Sequence, residues 1–406
     1  MKNFFSIFLL LLIAFFVYTY FSTQVIPVNT EKNVELKDTL SVLSISFVGD
    51  LMCHSTQFNY AHVKDDSFDF SGTFSEVKKY LAESDLTIGN FETVLAGREK
   101  GYHGYPFFNA PDDFLYAIKN AGFNFLVTAN NHSLDQGEKG ILRTLQKMNN
   151  AKINHTGTYF SENDRDSIRI LNVNNFKLAI LNYSYGTNGV PVPKGKSYLI
   201  SLINFIRIKN EISEAKENGA ELVLVFFHFG EEYEREPNNL QRQVVDSTIK
   251  FGADLIIGSH PHVVQPVNYF VTNHAALDTG FVAYSLGNFI SNQRWRFSDS
   301  GVILKMKLVK NLLNGKIKIS KVNFIPTWVF RGSIKDKKAH VILPVNIQMD
   351  DSLYSYLTKN DKRKLQQAQK DVLYILNKYL QEKNTTMLTF KRNNKSKFDE
   401  LVNFHK

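Results

Sequence analysis

The sequence predicts an α/β layered domain, and two observations carry that prediction. Strand-like and helix-like stretches alternate from Val42 to about residue 293. Six short apolar runs along that span each end in a residue able to bind a metal or move a proton: SISFVGD at Asp50, DLTIGNFE at Asn90 and Glu92, NFLVTANNH at Asn131 and His132, LVLVFFHFG at His228, DLIIGSHPH at His260 and His262, and VAYSLGNF at Asn288. In open α/β sheets ligands bind at the carboxyl ends of strands, so these endings are expected to converge on one metal-dependent site.

The elements follow in order. A strand at 42–49 leads to a helix-compatible stretch near 73–83 and a strand at 85–89. Helical periodicity over 112–121 precedes a strand at 123–128, and a second helical stretch, 137–150, precedes short strands near 168–173 and 176–183. Helix 205–218 feeds strand 221–227, helix 238–251 feeds strand 254–258, and strand 281–286 closes the series. No internal period suggests a solenoid. After about residue 294 the texture changes. Residues 301–310 and 315–325 alternate apolar with basic residues around Asn314-Gly315, a hairpin signal. Residues 350–382 carry Leu353, Leu357, Leu365, Val372, Leu373 and Leu376 on amphipathic helical faces, and the basic stretch 391–406 reads as a solvated tail.

The first residues address the chain. Phe4 to Phe21 is an uncharged apolar run behind Lys2, long enough to span a bilayer as a helix. A cleaved signal peptide is the competing reading, but the run closes on the aromatic cluster Tyr18–Phe21 with no A-x-A site, which favours an uncleaved anchor. Lys2 places the N-terminus in the cytoplasm and the rest of the chain outside. The organisation is therefore an anchor at 1–22, a polar tether at 23–41, the α/β domain at 42–293 and an α+β extension at 294–406. A net charge of +9 suits an anionic membrane or polymer; no nucleic-acid-binding motif accompanies it. The single Cys53 excludes a disulfide framework and a Cys-rich zinc module.

Within the candidate site, Gly49-Asp50 and Gly89-Asn90-Phe91-Glu92 each place a carboxylate at a strand end. His54 follows Asp50 by four residues, within local reach. Asp135 stands three residues after His132, where it can accept the second ring N–H and set the tautomer of an acid/base histidine. His228 ends an almost wholly apolar run. Gly258-Ser259-His260-Pro261-His262 is the most compact motif: one residue between two imidazoles in an extended segment turns the rings to different sides, so that they serve two metals or bracket one. Ser259 and Asn288 are pocket candidates with simple turn roles as the competing reading.

The ordered set GDLMCH, GNFET, TANNHSLDQG, HFGEEY, GSHPHVVQP and YSLGNF resembles the CapA (poly-γ-glutamate capsule biosynthesis) family of the calcineurin-like metallophosphoesterase superfamily, over about 42–293. That resemblance implies a four-layer α/β/β/α sandwich and two divalent metal ions (Mn, Zn or Fe). It implies Asp50, Glu92, Asn131, His228, His260 and His262 as metal ligands, His132 as the histidine that contacts substrate and Asp135 as its orienting carboxylate. The chain departs from the superfamily pattern twice. The usual Asp-x-His is missing at Asp50, and Glu92 stands where the bridging residue is usually Asp. The implied function is capsule or poly-γ-glutamate synthesis or processing at the cell membrane, alongside other capsule-synthesis proteins, as a dimetal hydrolase acting outside it. The alternative is a non-catalytic subunit that binds and exports the polyanionic polymer.

Overall fold

The computed structural model describes residues 39–272, 276–345 and 354–382. The expected anchor at 1–22, nearly all of the tether and the basic tail lie outside the described residues. Among the described residues no helix is long and apolar enough to cross a membrane.

The first sheet contains β1 (Leu40–Leu51), β2 (Leu86–Phe91), β3 (Phe125–Val127), β4 (Asn154–Thr156), β11 (Asn288–Ile290), β12 (Ser300–Asn311), β13 (Ile317–Ile334) and β14 (Lys337–Pro344). Its order is β14-β13-β12-β1-β2-β3-β4, with β11 pairing in parallel against the end of β1. The second sheet contains β5 (Ile170–Val173), β6 (Phe176–Ser184), β7 (Leu222–His228), β8 (Leu255–Ser259), β9 (Val267–Val271) and β10 (Thr279–Ala283), in the order β9-β10-β8-β7-β6-β5. The site-bearing strands run parallel: β1 with β2, β2 with β3, β6 with β7, and β7 with β8. Their carboxyl ends therefore lie along common edges, as strand–helix alternation requires.

Side-chain alternation makes the layers. In β7, Leu222, Leu224 and Phe226 enter the core between the sheets, while Val223, Val225 and Phe227 face the opposite way. That double burial explains why the run shows no polar alternation. Leu43, Ile45 and Phe47 of β1, Leu86 and Ile88 of β2, and Leu255 and Ile257 of β8 fill the same inter-sheet core. Outside the first sheet, α1 (Ser55–Ala61) and α2 (Asp112–Ala121) cover Val48 and Leu126 through Phe58, Phe114 and Ile118. Outside the second, α4 (Phe205–Glu217) and α5 (Asn239–Phe251) cover β6–β8 through Ile208, Ile212, Val244 and Val245. The result is an α/β/β/α sandwich. The stretch 137–150 forms α3 (Gly137–Asn150).

Residues after 293 build onto this core. Around Asn311–Lys316 the chain turns β12 back antiparallel to β13, with Gly315 at φ 69. Val302, Leu304, Met306 and Leu308 enter the inter-sheet core, while Lys305 and Lys307 on the alternate positions face outward, which accounts for the apolar/basic alternation. The helix α6 (Lys359–Glu382) lays Val372, Ile375, Leu376 and Leu380 against the same core, and Leu365 and Ala368 against Trp328 and Leu343.

Two histidines outside the candidate site make stability pH-dependent. Burial lowers His155 to about 4, aided by Arg169, and His340 to about 3, aided by Arg294 and Arg331, from an ordinary value of 6.5. Both are neutral in the fold. Their contribution is fully present above pH 6.5 and is lost as pH falls towards 4 and 3; for His155 alone it amounts to about 3 kcal/mol. Asp254, pushed by burial to about 6 from 3.8, acts oppositely: its contribution is present below 3.8 and is lost as pH rises through 6. The two histidine shifts are together the larger. The melting temperature is expected to fall from pH 7 to pH 4, and less steeply in His155→Gln; a flat profile in the native chain would contradict the assignment.

Candidate metal centre

Strand register brings the polar endings together. Asp50 lies opposite Asn90 across β1–β2 and opposite Asn288 across β1–β11. In the other sheet His228 lies opposite Ser184 on one side and Ser259 on the other. Glycine permits the closest approach: a Cβ on Gly49 would stand 1.9 Å from the carbonyl oxygen of Gly287, the same oxygen that accepts the Asp50 N–H at 3.0 Å.

The carboxylates of Asp50 and Glu92 are fully buried beside each other. The Asn90 amide donates to Asp50 Oδ1 at 2.9 Å and to Glu92 Oε2 at 3.2 Å, so a residue expected only to line the pocket orients both acids. Glu92 Oε1 has no hydrogen-bond partner. It faces His228 Nε2 at 3.6 Å and His262 Nε2 at 3.7 Å. Those spacings are too long for hydrogen bonds. They are close to the ~3.4 Å that separates two ligand atoms each ~2.1 Å from one tetrahedral cation.

The rings around Glu92 are held from behind. His262 Nδ1 lies 3.0 Å from Asp50 Oδ2 and 3.1 Å from Asn288 Oδ1; two acceptors place the proton on Nδ1 and leave Nε2 with its lone pair towards Glu92. His228 Nδ1 lies 3.1 Å from Ser259 Oγ, while its Nε2 lies 2.9 Å from Asn131 Oδ1. Ser259 and Asn288 thus brace ligand-type histidines, which is more than a turn role. His260 and His262 both have left-handed backbones, φ 98 and φ 58, so the expectation of an extended segment is corrected. The two ring centroids stand 5.8 Å apart.

Two wholly buried groups of ligand atoms emerge, each within a 4.8 Å span: Asp50, Glu92 and His262, and Glu92, His228 and His260. Glu92 belongs to both. The buried Nδ1 of His260 is a second polar atom without a partner. Oxygen and imidazole donors with unsatisfied lone pairs fit borderline divalent cations. The electrostatics agree. Burial, then the neighbouring Asp50, holds the Glu92 carboxyl well above its ordinary range. Burial, then the other imidazoles, holds His228 well below its own. Burial and His262 lower His260 to about 3. Neutral imidazoles are the ligand form, and a cation removes the repulsion between the acids.

His132 stands beside this centre. Its Nδ1 is 2.8 Å from Asp135 Oδ2, which also accepts the Phe108 N–H at 2.7 Å, and the Phe108 ring meets the imidazole edge-on at 4.7 Å. Nε2 is left facing Asn188 at 3.5 Å. His54 takes no part in either ligand group. Its Nδ1 lies 3.2 Å from Gln57 Oε1 and 3.3 Å from the Asn292 backbone nitrogen, and its ring packs on Phe108, because the chain after Cys53 turns directly into α1.

Sequence reasoning missed the rim. Tyr185 packs at 4.5 Å on His260, Tyr233 at 6.1 Å on His262 and at 5.0 Å on Trp295, and Tyr105 at 6.3 Å on His132; all four aromatics are exposed. They sit on loops whose polarity gave no periodic signal. The Asn188 amide oxygen that receives the Asn131 NH2 at 3.1 Å is also a loop residue.

Comparison with known proteins decides the family. The family described as Bacterial capsule synthesis protein PGA_cap matches residues 44–293, more than half of the chain. The chain belongs to that family. The capsule biosynthesis protein CapA of Bacillus anthracis is 29% identical over 340 residues, covering 81% of this chain and 76% of that protein. The PGA biosynthesis protein CapA of Bacillus subtilis (strain 168) is 29% identical over 307 residues, covering 73% and 76%. Among solved structures, the calcineurin-like phosphoesterase YfkN of Bacillus subtilis aligns with a TM-score of 0.39 at 13% identity, covering 83% of this chain and 99% of that one. Within this PGA_cap chain the six strand endings of the matched segment all reach the centre, and His54 alone of the expected residues near Asp50 is turned away.

Gly49→Ala is expected to lower stability by about 1–3 kcal/mol, because its methyl group meets a backbone carbonyl that cannot yield without moving Asp50. Gly72→Ala, with nothing within 4 Å, serves as the control and should be neutral. Denaturant midpoints measure both; equal midpoints would show that the β1–β11 approach is not rigid.

Proposed function

We propose that this chain is a divalent-metal-dependent hydrolase of capsule-polymer synthesis, anchored by its N-terminal segment at the cell membrane with the sandwich outside. Its substrate is a linkage in an anionic polymer, poly-γ-glutamate being the polymer that the relative's name indicates. The observation that carries the reading is Glu92 Oε1, buried, unpartnered and aimed at the Nε2 atoms of two histidines.

Asp50, Glu92 and His262 would hold one cation, and Glu92, Asn131, His228 and His260 a second, with Mn, Zn or Fe suited to these donors. Such a pair, when bound, supplies a nucleophile at neutral pH and stabilises charge developing on the attacked group. The remaining chemistry belongs to the chain. Asn90 keeps the two acids aligned. Ser259 and Asn288 fix the rear nitrogens of His228 and His262. Asp135 fixes Nδ1 of His132, leaving Nε2 to hold a proton for the departing group, a role worth about 10²–10⁴-fold in rate. The exposed aromatic rim presents flat surfaces on which polymer backbone can lie before reaching the buried centre. A polyanion suits the net charge of +9 and a centre whose bound cations outweigh its two carboxylates.

Elemental analysis of residues 23–406 purified without chelator, beside His260→Ala/His262→Ala, tests the centre. About two equivalents of transition metal are expected in the native sequence and a loss of both in the double variant. His132→Ala should keep its metal while turnover of γ-glutamyl polymers or phosphoesters falls at least about 100-fold. Loss of metal in His132→Ala would make it a ligand. Metal uptake with polymer binding and no turnover would favour an accessory subunit over an enzyme.

A further inference from the structure

The first sheet contributes few ligands to the buried set. β1 supplies only Asp50; Leu51 and Met52 follow it, both buried and apolar, and His54 is turned into α1. On the solvent side one more carboxylate is in range. A Glu232 oxygen and ring nitrogens of His260 and His262 lie within 4.8 Å of one another. Glu232 is exposed, whereas both histidines are buried, and the unpartnered Nδ1 belongs to His260 of this same group.

The loop that carries Glu232 is held from several sides. The Tyr233 N–H donates to the Pro261 carbonyl at 2.8 Å, tying the loop to the residue between the two histidines, and Tyr233 itself is left-handed at φ 68. Gln265 Nε2 donates to the carbonyls of Glu234 at 2.9 Å and Glu236 at 3.3 Å. From α6, the Asp371 carbonyl accepts Arg235 at 2.6 Å, and Lys378 pairs with Glu236 at 2.6 Å. A non-glycine residue in a sparsely populated conformation beside a candidate site, held by this many contacts, is the signature of imposed positioning.

We propose that Glu232 is a solvent-side ligand of the metal centre, adding a carboxylate from the β7–α5 loop to the cation that His260 would hold. The inference rests on the metal reading above and adds a residue to it. Glu232 is exposed and outside the core, its carboxylate also accepting the neighbouring Tyr233 hydroxyl, so the near-isosteric Glu232→Gln is expected to leave the fold intact.

Isothermal titration of the full chain, stripped of metal and titrated with Mn²⁺, tests it. The native chain should bind two ions. Glu232→Gln should weaken one of them roughly tenfold or more and leave the other unchanged. Glu231→Gln, its equally exposed neighbour, should titrate like the native chain, which separates ligation from a general effect of negative charge. Glu232→Asp, one methylene shorter, should fall between native and Gln. Identical titrations of Glu232→Gln and the native chain, or equal weakening in Glu231→Gln, would overturn the assignment while leaving the buried centre standing. A native chain that takes up no Mn²⁺ would sink the metal reading and this one with it.

Discussion

Asp50 and Glu92 share a volume from which water is excluded, and the rest of the centre is arranged around that cost. Two carboxylates side by side in such a place repel, and each has given up its hydration. Asn90 donates one N–H group to each acid, which fixes their orientation without neutralising either. Two imidazoles, His228 and His260, held neutral by burial add no compensating charge. A cation would, and Glu92 Oε1 and His260 Nδ1, both buried and without a hydrogen-bond partner, are the atoms free to take it. By linkage, a cation that binds only the folded centre would stabilise the fold.

Parallel pairing is what makes so dense a centre possible. Register aligns Asp50 with Asn90 and His228 with Ser259, so residues far apart in sequence arrive at matching heights. The sandwich then sets one sheet's edge against the other's. Glycines at the crossing points let backbones approach where any side chain would collide, as at Gly49 with Gly287 and at Gly258 with Tyr284. Asp50, Asn90, His228 and Asn288 sit within strands and Glu92 directly after one, whereas Asn131, His260 and His262 sit on the turns that follow. The aromatic rim and Glu232 lie on loops around the centre.

The strands were legible because double burial leaves near-continuous apolar runs, as in β7, and because a polar residue at the end of such a run has few structural reasons to be there. The helices α2, α3, α5 and α6 were legible from their period. Other features were not. β4 and β11 are three residues each, too short for a pattern. The left-handed backbones of His260 and His262 leave no mark in the sequence, so reading that motif as extended gave the wrong path to the right convergence. His54 was within reach along the chain, but a helix starting at Ser55 commits its ring to Gln57. Glu232 follows His228 by four residues with no apolar run to announce it, and only the fold of its loop over Pro261 brings it near the histidines.

The helix α6 lies outside the matched segment 44–293, yet it grips two loops at the mouth of the centre. Besides Arg235 and Glu236, it receives Arg296, whose guanidinium makes a two-point contact with Asp371 at 2.7 and 2.8 Å, next to Trp295. Synthesis runs from the N-terminus, so every buried ligand has left the ribosome before the helix that steadies the entrance exists. The inner shell and its doorway are thus completed at different moments in the life of the chain. A fragment ending at residue 293 carries all the deep ligands but neither the fastening of its outer loop nor the three strands that complete the first sheet.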